Sequence, residues 1–285
     1  DKMRLIKDAD LFVHARAGWG YSVNDYTGTT KQQDVIDDAD GLRTLYIDQL
    51  WYRQYLLNRK IAVQFGYMDF QTVVDRNAYA NSEDKQFMNT ALDNNPLVPT
   101  AAITSIGGAV YIQPVSWYTL LLAAGDAQGP TPTPPRPVYK PGFSTAFHDE
   151  AWFVSWLENI FSFKFPSACG ELPGNYRFGM VYDPRVRPIF RPKGLPPADR
   201  GSDYGFYTSL DQMVFREDRK SDQGLGIFFR YGFRHGDINR FDDFWSTGLS
   251  YTGLVPERDK DVLGFGIAQL RTSPEYRSRV NRYSG

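Results

Sequence analysis

Nowhere in the chain does an apolar run approach the ~18 residues that a membrane-crossing helix needs. The longest lies near Leu120-Leu121-Leu122-Ala123-Ala124, so any crossing of a bilayer must use strands. An excess of charge is missing too. The 32 Lys and Arg face 33 Asp and Glu, a net of −1, which argues against nucleic-acid binding and against a polybasic membrane-surface protein. Cysteine is limited to Cys169 in Pro166-Ser167-Ala168-Cys169-Gly170, a turn-like stretch that offers no disulfide partner, so it reads as a lone loop thiol. The three histidines, His14, His148 and His235, are scattered, and no serine sits in a nucleophile motif. That leaves no constellation for a barrel hydrolase. His148-Asp149-Glu150 resembles a metal motif only superficially, because adjacent strand residues point to opposite faces. Neither an enzyme nor a metal or cofactor site is expected.

What the chain has is alternation. In Gly224-Leu225-Gly226-Ile227-Phe228-Phe229-Arg230-Tyr231-Gly232-Phe233-Arg234, Leu225, Ile227, Phe229, Tyr231 and Phe233 share one face of a period-two strand; the arginines and glycines share the other. A half-buried strand of a soluble sandwich also alternates, so one strand decides little. Repetition decides more. Leu11, Val13, Ala15 and Ala17, running into Trp19 and Tyr21, oppose His14, Arg16, Gly18 and Gly20. An arginine on the lipid face near the bilayer midplane costs about 2–4 kcal/mol, so Arg16 is assigned to the lumen and the Trp-Tyr end to an interface girdle. By the same logic Ile61, Val63, Phe65 and Tyr67 face out with Gln64 inside, and Tyr176, Phe178, Met180 and Tyr182 face out with Arg177 inside. Trp245, Leu249 and Tyr251 oppose Ser246, Gly248 and Ser250, and Leu263, Phe265 and Ile267 oppose Gly264 and Gly266. Eighteen Tyr and 20 Phe suit girdles of rings with one wet end, while the mean hydropathy of −0.45 is low. The pattern is the lipid-out, polar-in signature of an all-β transmembrane antiparallel barrel.

Strands are expected near 11–22, 43–55, 60–68, 103–113, 117–125, 150–165, 175–183, 203–216, 224–234, 244–254 and 261–270, eleven in all. Bacterial barrels of one chain normally have an even number and no open edge. Residues 1–285 are therefore read as a single incomplete barrel domain. Asp1 is not an initiator Met, and no signal-type segment precedes the first strand, as expected of mature or trimmed material. Short turns at Asn58-Arg59 and Pro114-Val115 contrast with long loops near 70–100, 126–148 and 184–202. The second holds Gly129-Pro130-Thr131-Pro132-Thr133-Pro134-Pro135-Arg136-Pro137, which resists helix and central strand because proline fixes φ and removes a donor. The third mixes five prolines with Arg185, Arg187, Arg191 and Arg200 and is expected over or in the barrel mouth. Within the first, Ser82 through Leu92 reads as a short Ser-capped helix with Phe87, Met88 and Leu92 packing inward, in a constriction or plug.

In order along the chain, Leu50-Trp51-Tyr52-Arg53-Gln54, Gly66-Tyr67-Met68-Asp69, Gln86-Phe87-Met88-Asn89, Asn94-Asn95-Pro96, Leu172 through Gly179, Gly205-Phe206-Tyr207 with Asp211-Gln212-Met213, and Phe244 through Gly264 resemble the blocks of the carbohydrate-selective porin (OprB) family. The resemblance covers roughly residues 43–270. It implies a sixteen-stranded outer-membrane barrel of a Gram-negative-type bacterium that passes sugars by diffusion. It departs from the family at two places: Arg53 stands at an acidic position, and Gln64 at one commonly held by Arg. Both bear on substrate preference.

A passive sugar channel needs no catalytic group, only a narrow lumen whose donors and acceptors replace part of the sugar's hydration weakly enough for release. The candidate lining comprises His14, Arg16, Arg53, Gln64, Glu158, Arg177, Asp211, Arg230 and Arg234. The facing of Arg53, Glu158 and Asp211 is ambiguous because both faces of their strands carry aromatics. Arginine's planar fork suits vicinal hydroxyls; the bland alternative is an ion-pair ladder that stiffens the wall. The partners implied are mono- or oligosaccharides in transit, outer-membrane lipid and lipopolysaccharide, with monomer or homo-oligomer left open. A general or anion-selective channel and a structural or adhesive barrel are the competing readings.

Overall fold

Apolar residues recur at every second position because successive strand residues point to opposite faces of a wall, and the resulting strands account for nearly all of the architecture. The computed structural model describes residues 2–3, 7–18, 26, 44–98, 104–127, 153–191 and 194–280. Twelve strands form one antiparallel sheet in chain order. They are β1 (Lys2–Met3), β2 (Ala9–Gly18), β3 (Thr44–Leu56), β4 (Ile61–Asp69), β5 (Thr104–Val115), β6 (Tyr118–Asp126), β7 (Phe153–Ser167), β8 (Gly170–Asp183), β11 (Asp203–Arg216), β12 (Gly224–Arg234), β13 (Phe241–Thr252) and β14 (Val262–Thr272). A separate ribbon, β9 (Arg187–Pro188) with β10 (Asp199–Arg200), lies between β8 and β11. The helical elements include α1 (Thr90–Asp93), α2 (Pro274–Val280) and a 3-10 turn at Phe70–Thr72. The long strands fall on the eleven expected segments; Lys2–Met3, paired with Leu11 and Phe12, is the addition.

Burial follows the period. Along β12 every second residue from Gly224 to Arg234 is buried, while Ile227, Phe229 and Phe233 are exposed. Strands β8 and β11 repeat this, exposing Phe178, Met180, Tyr182, Tyr204 and Phe206. Such an apolar exterior continuing from strand to strand is the lipid-out pattern of a transmembrane barrel. At one end of the wall Trp117 stacks with Phe161 at 6.4 Å and with Phe163 at 6.3 Å between centroids, and Tyr118 tilts against Phe161. Amphipathic rings of this kind belong at a headgroup interface. The expected girdle residues Trp19 and Tyr21, like the proline-rich run at 129–137, lie outside the described residues.

Several expectations need correction. Strand β5 runs on through Pro114-Val115, and the tight turn is Ser116-Trp117. Tyr67, read as lipid-facing, is 3% exposed and accepts a hydrogen bond from Thr104 Oγ1 at 2.8 Å. Alternation fails there because Gly66, at φ +137, passes Trp51 so closely that a Cβ would sit 2.7 Å from the Trp51 Cα. Between His14 and Ala15 the β2–β3 register slips, their partners being Gln49 and Ile47. This bulge leaves Gln49 buried and Ile47 47% exposed although the two share strand parity. The helix expected over 82–92 is instead a turn closed by Gln86 N donating to Ser82 O at 2.8 Å, followed by α1, which Asn89 caps through Ala91 N at 2.9 Å. The cap at Asn89 starts the helix late, so only its last turn forms.

The sheet curls, and residues 70–98 show how far. This segment leaves β4 and folds against the inward faces of strands remote in sequence. Phe70 stacks on Trp156 of β7 at 4.8 Å, and Phe87 meets Phe228 of β12 edge-on at 5.5 Å. Leu92 reaches the backbone of Gly266 on β14. A single segment touches β7, β12 and β14 only if the sheet wraps around it, which makes the sheet a barrel wall. Glycines on that wall are its sockets. A Cβ at Gly226 would lie 2.1 Å from the Tyr79 ring, one at Gly232 would lie 2.7 Å from Asn95 Oδ1, and one at Gly264 would lie 2.9 Å from the Phe87 ring. Phe87 and Leu92 thus pack inward as expected, whereas Met88 is 54% exposed.

Gly226→Val should therefore unseat the segment without disturbing the wall's outer face. The expected outcome is faster tryptic cleavage at the exposed Arg76 and Lys85 with heat-modifiable gel mobility retained. Unchanged cleavage would show that the Gly226 socket does not hold the segment.

Candidate functional site

The inward segment is fixed to the wall through polar groups that the strand pattern delivers. Arg230, at the middle of β12, has 0% exposure. Its Nη1 donates to Ala80 O at 2.6 Å and Leu92 O at 3.1 Å, and its Nη2 donates to Asp75 O at 3.2 Å. Nε lies 3.2 Å from Asp75 Oδ2. Next to it Asn77 Nδ2 donates to Ser209 Oγ at 3.2 Å and Leu210 O at 3.0 Å, Ser209 Oγ donates to Arg76 O at 3.0 Å, and Asn95 Nδ2 donates to Tyr231 O at 3.0 Å. On β7, Glu158 Oε2 accepts from Asp75 N and from the Tyr207 hydroxyl, each at 2.8 Å.

Glu158 and Asp211, ambiguous in sequence, are 0% and 1% exposed and face inward. Arg177 pairs with Asp211 through Nη1 and Oδ2, and Asn175 Nδ2 donates to Asp211 Oδ1 at 2.7 Å. Glu158, Arg177, Asp211 and Arg230 thus gather under the segment, each largely removed from solvent. Arg234 belongs to another group, at the strand ends beside the 184–202 loop. There it pairs with Asp203, while Asp183 takes both Arg185 and Arg187. Arg200 meets Asp237 at 2.6 Å, and Phe190 N donates to Asp237 O at 2.7 Å, which ties the loop to the β12–β13 connection.

Arg53 and Gln64 form a third group. They are cross-strand partners on β3 and β4, and Gln64 Oε1 accepts from both Arg53 Nε, at 3.0 Å, and Nη2. The two positions that depart from the family pattern are therefore in direct contact. The Arg53 guanidinium lies 5.1 Å from the centroids of both Trp51 and Tyr111. Trp51 in turn stacks on Phe12 at 4.9 Å, and His14 stacks on Phe12 at 6.2 Å. The side chain of Arg16 lies outside the described residues. Among the described residues no group of three or more His, Cys, Asp or Glu could hold a metal ion.

Sequence reasoning missed the segment's own anchors, Asp75, Asn77, Tyr79 and Asn95. A signal was present: inward glycines at 226, 232, 264 and 266 leave room beside the wall that some other part of the chain must fill.

Burial pushes the Asp75 carboxyl up to about 7, against the pull of Arg230, which is the strongest opposing influence. Asp93 is raised to about 6 by burial, again opposed first by Arg230. The seated segment therefore binds more protons than the released one between the ordinary value of 3.8 and about 7. Since stability falls with pH wherever the folded form holds the extra proton, seating is firmest below that window and weakens as pH rises through it.

Two outcomes follow. Arg230→Ala removes one partner of a buried pair, a change that typically costs about 3–5 kcal/mol, so it should release the segment and raise single-channel conductance. Adding Asp75→Asn should recover part of the loss, and additive effects of the two changes would contradict the pairing. Hydrogen exchange of residues 75–95, corrected for intrinsic rates, should be faster at pH 8 than at pH 5 in the native protein, with a smaller difference in Asp75→Asn, where Asp93 alone remains; equal native rates would sink the linkage.

The profile of the carbohydrate-selective porin, OprB family, matches residues 16–283. Porin B of Pseudomonas aeruginosa is 28% identical over 127 residues, 40% of this chain and 28% of its own length, so the chain matches little more than a quarter of that relative. An uncharacterized protein of Aquifex aeolicus is 33% identical over 234 residues, 75% of this chain and 68% of the relative. Among solved structures, the high-pH structure of Pseudomonas putida OprB superposes with a TM-score of 0.77 over 98% of this chain and 68% of that one, at 19% identity, a likeness of fold alone. With the profile running almost from end to end, the chain belongs to the carbohydrate-selective porin, OprB family.

Proposed function

We propose that the protein is an outer-membrane porin through which small neutral carbohydrates diffuse passively, in a lumen narrowed by residues 70–98. The carrying observation is the seating of that segment across the inner wall, from Phe70 on Trp156 to Phe87 on Phe228. It leaves a restricted passage of the kind that selects by size and hydrogen bonding.

The charge arrangement supports neutral solutes over anions. Arg177, Arg230 and Arg234 are each matched by a carboxylate, Asp211, Asp75 and Asp203. Paired charges present donors and acceptors side by side while largely cancelling the field that would concentrate anions. For Arg230 the proposed role is to shape the lumen by holding the segment. A sugar would then meet groups at the free edges of these pairs.

The test is liposome swelling by the full-length protein with neutral sugars of increasing size. Monosaccharides should enter readily, with a steep fall by the tri- and tetrasaccharide. Strong chloride selectivity that added oligosaccharide leaves unchanged would favour the anion-channel reading, and a protein that conducts nothing would favour a structural barrel.

A further inference from the structure

Every strand arginine whose side chain is described has a carboxylate within ion-pair distance, with one exception. Arg177, Arg187, Arg200, Arg216, Arg230, Arg234 and Arg271 meet Asp211, Asp183, Asp237, Asp222, Asp75, Asp203 and Asp242. Arg53 does not. Its hydrogen-bond partner among the described residues is the neutral amide of Gln64. Its neighbour on the other side, Asp10, is register-paired with it across β2 and β3, yet Asp10 Oδ2 instead accepts from the Tyr55 hydroxyl at 3.0 Å.

The geometry of the guanidinium matters here. Arginine carries five N–H donors in a rigid plane. Gln64 occupies the Nε/Nη2 edge, and the terminal Nη1/Nη2 edge has no acceptor among the described residues. The Trp51 and Tyr111 rings, each 5.1 Å from Cζ, and the Gln64 bond hold the plane in place. A fixed fork with two parallel donors matches the two oxygens of a carboxylate. The Arg53 side chain is only part-buried, facing the same side as Gln64 and Ala109, both 2% exposed.

We propose that Arg53 is a specificity-determining residue that gives this channel a subsite for carboxylated sugars, uronic or aldonic acids, alongside neutral ones. The proposal rests on the porin reading above and names a further substrate class for the same lumen. The acid's carboxylate docks on the terminal fork, beside the Trp51 and Tyr111 rings that flank it. Passage remains reversible, because a single charge-assisted pair in a wet lumen is weak enough to release.

The experiment measures entry of glucuronate, its uncharged methyl ester and glucose into liposomes carrying the full-length protein, together with half-blocking concentrations in single-channel recordings. The native channel should bind glucuronate about tenfold more tightly than the ester, the size of effect expected of a charge-assisted bond. Arg53→Gln should abolish that preference, and Arg53→Lys, which keeps charge but not the fork, should retain only part of it. Heat-modifiable mobility reports folding of each variant. No native preference for glucuronate over the ester, or a preference that survives in Arg53→Gln, overturns the proposal. If glucose and ester also fail to enter, the porin reading itself fails, an outcome distinct from loss of the acid preference alone.

Discussion

The interior depends on one desolvated cation. A guanidinium with no exposed surface is costly unless nearly all its donors are satisfied, and a single strand cannot satisfy them. Arg230 meets this condition only when carbonyls of Asp75, Ala80 and Leu92 and the carboxylate of Asp75 converge on it. These acceptors come from three points on a segment that has no regular structure beyond a single helical turn and a 3-10 turn. The charge therefore organises the segment, and the segment in turn shields the charge. Wall glycines make the approach feasible, since Tyr79, Asn95 and Phe87 each occupy space that a Cβ on the opposing strand would claim.

The wall was legible in the sequence because two solvents read it. An apolar environment on one side and packed protein on the other enforce a period of two, and the eleven long strands were anticipated from that period, within the usual drift at the ends, while the short β9–β10 ribbon was read only as loop. The features that escaped share a cause. Bulges and positive-φ glycines break parity locally, as at Gln49–Ile47 and Gly66, and parity carries no warning of them. The segment 70–98 escaped for a different reason: its order comes from contacts with residues more than a hundred positions away, such as Asn77 with Ser209 and Asn95 with Tyr231. Helix in 82–92 is confined to the turn that starts where Asn89 caps Ala91 N, because the residues before it close on a separate Ser82–Gln86 turn.

Among the candidate lining residues, sequence could name chemistry but not company. Arginine on the inner face of a barrel is compatible with a bare cationic wall or with neutral pairs, and the choice lies in which carboxylates the register and the loops bring near. Asp211 sits one strand from Arg177, a pairing that strand order alone could suggest. Asp75 reaches Arg230 from a loop, and nothing in the alternation points to it.

That division of labour sets what the lumen can distinguish. Paired arginines cost the wall little in net charge and offer polar edges without a strong field, which suits solutes whose recognition is hydroxyl by hydroxyl. A guanidinium bound to an amide, as Arg53 is to Gln64, keeps its full charge, and on the proposed reading that charge faces the solute with no ion-pair partner among the described residues. Asp10, across the strand but engaged by Tyr55, moderates that charge without pairing with it. On the proposed reading, selectivity turns less on how many arginines face inward than on which of them lack a carboxylate. In β3 that distinction is made by one side chain on the neighbouring strand.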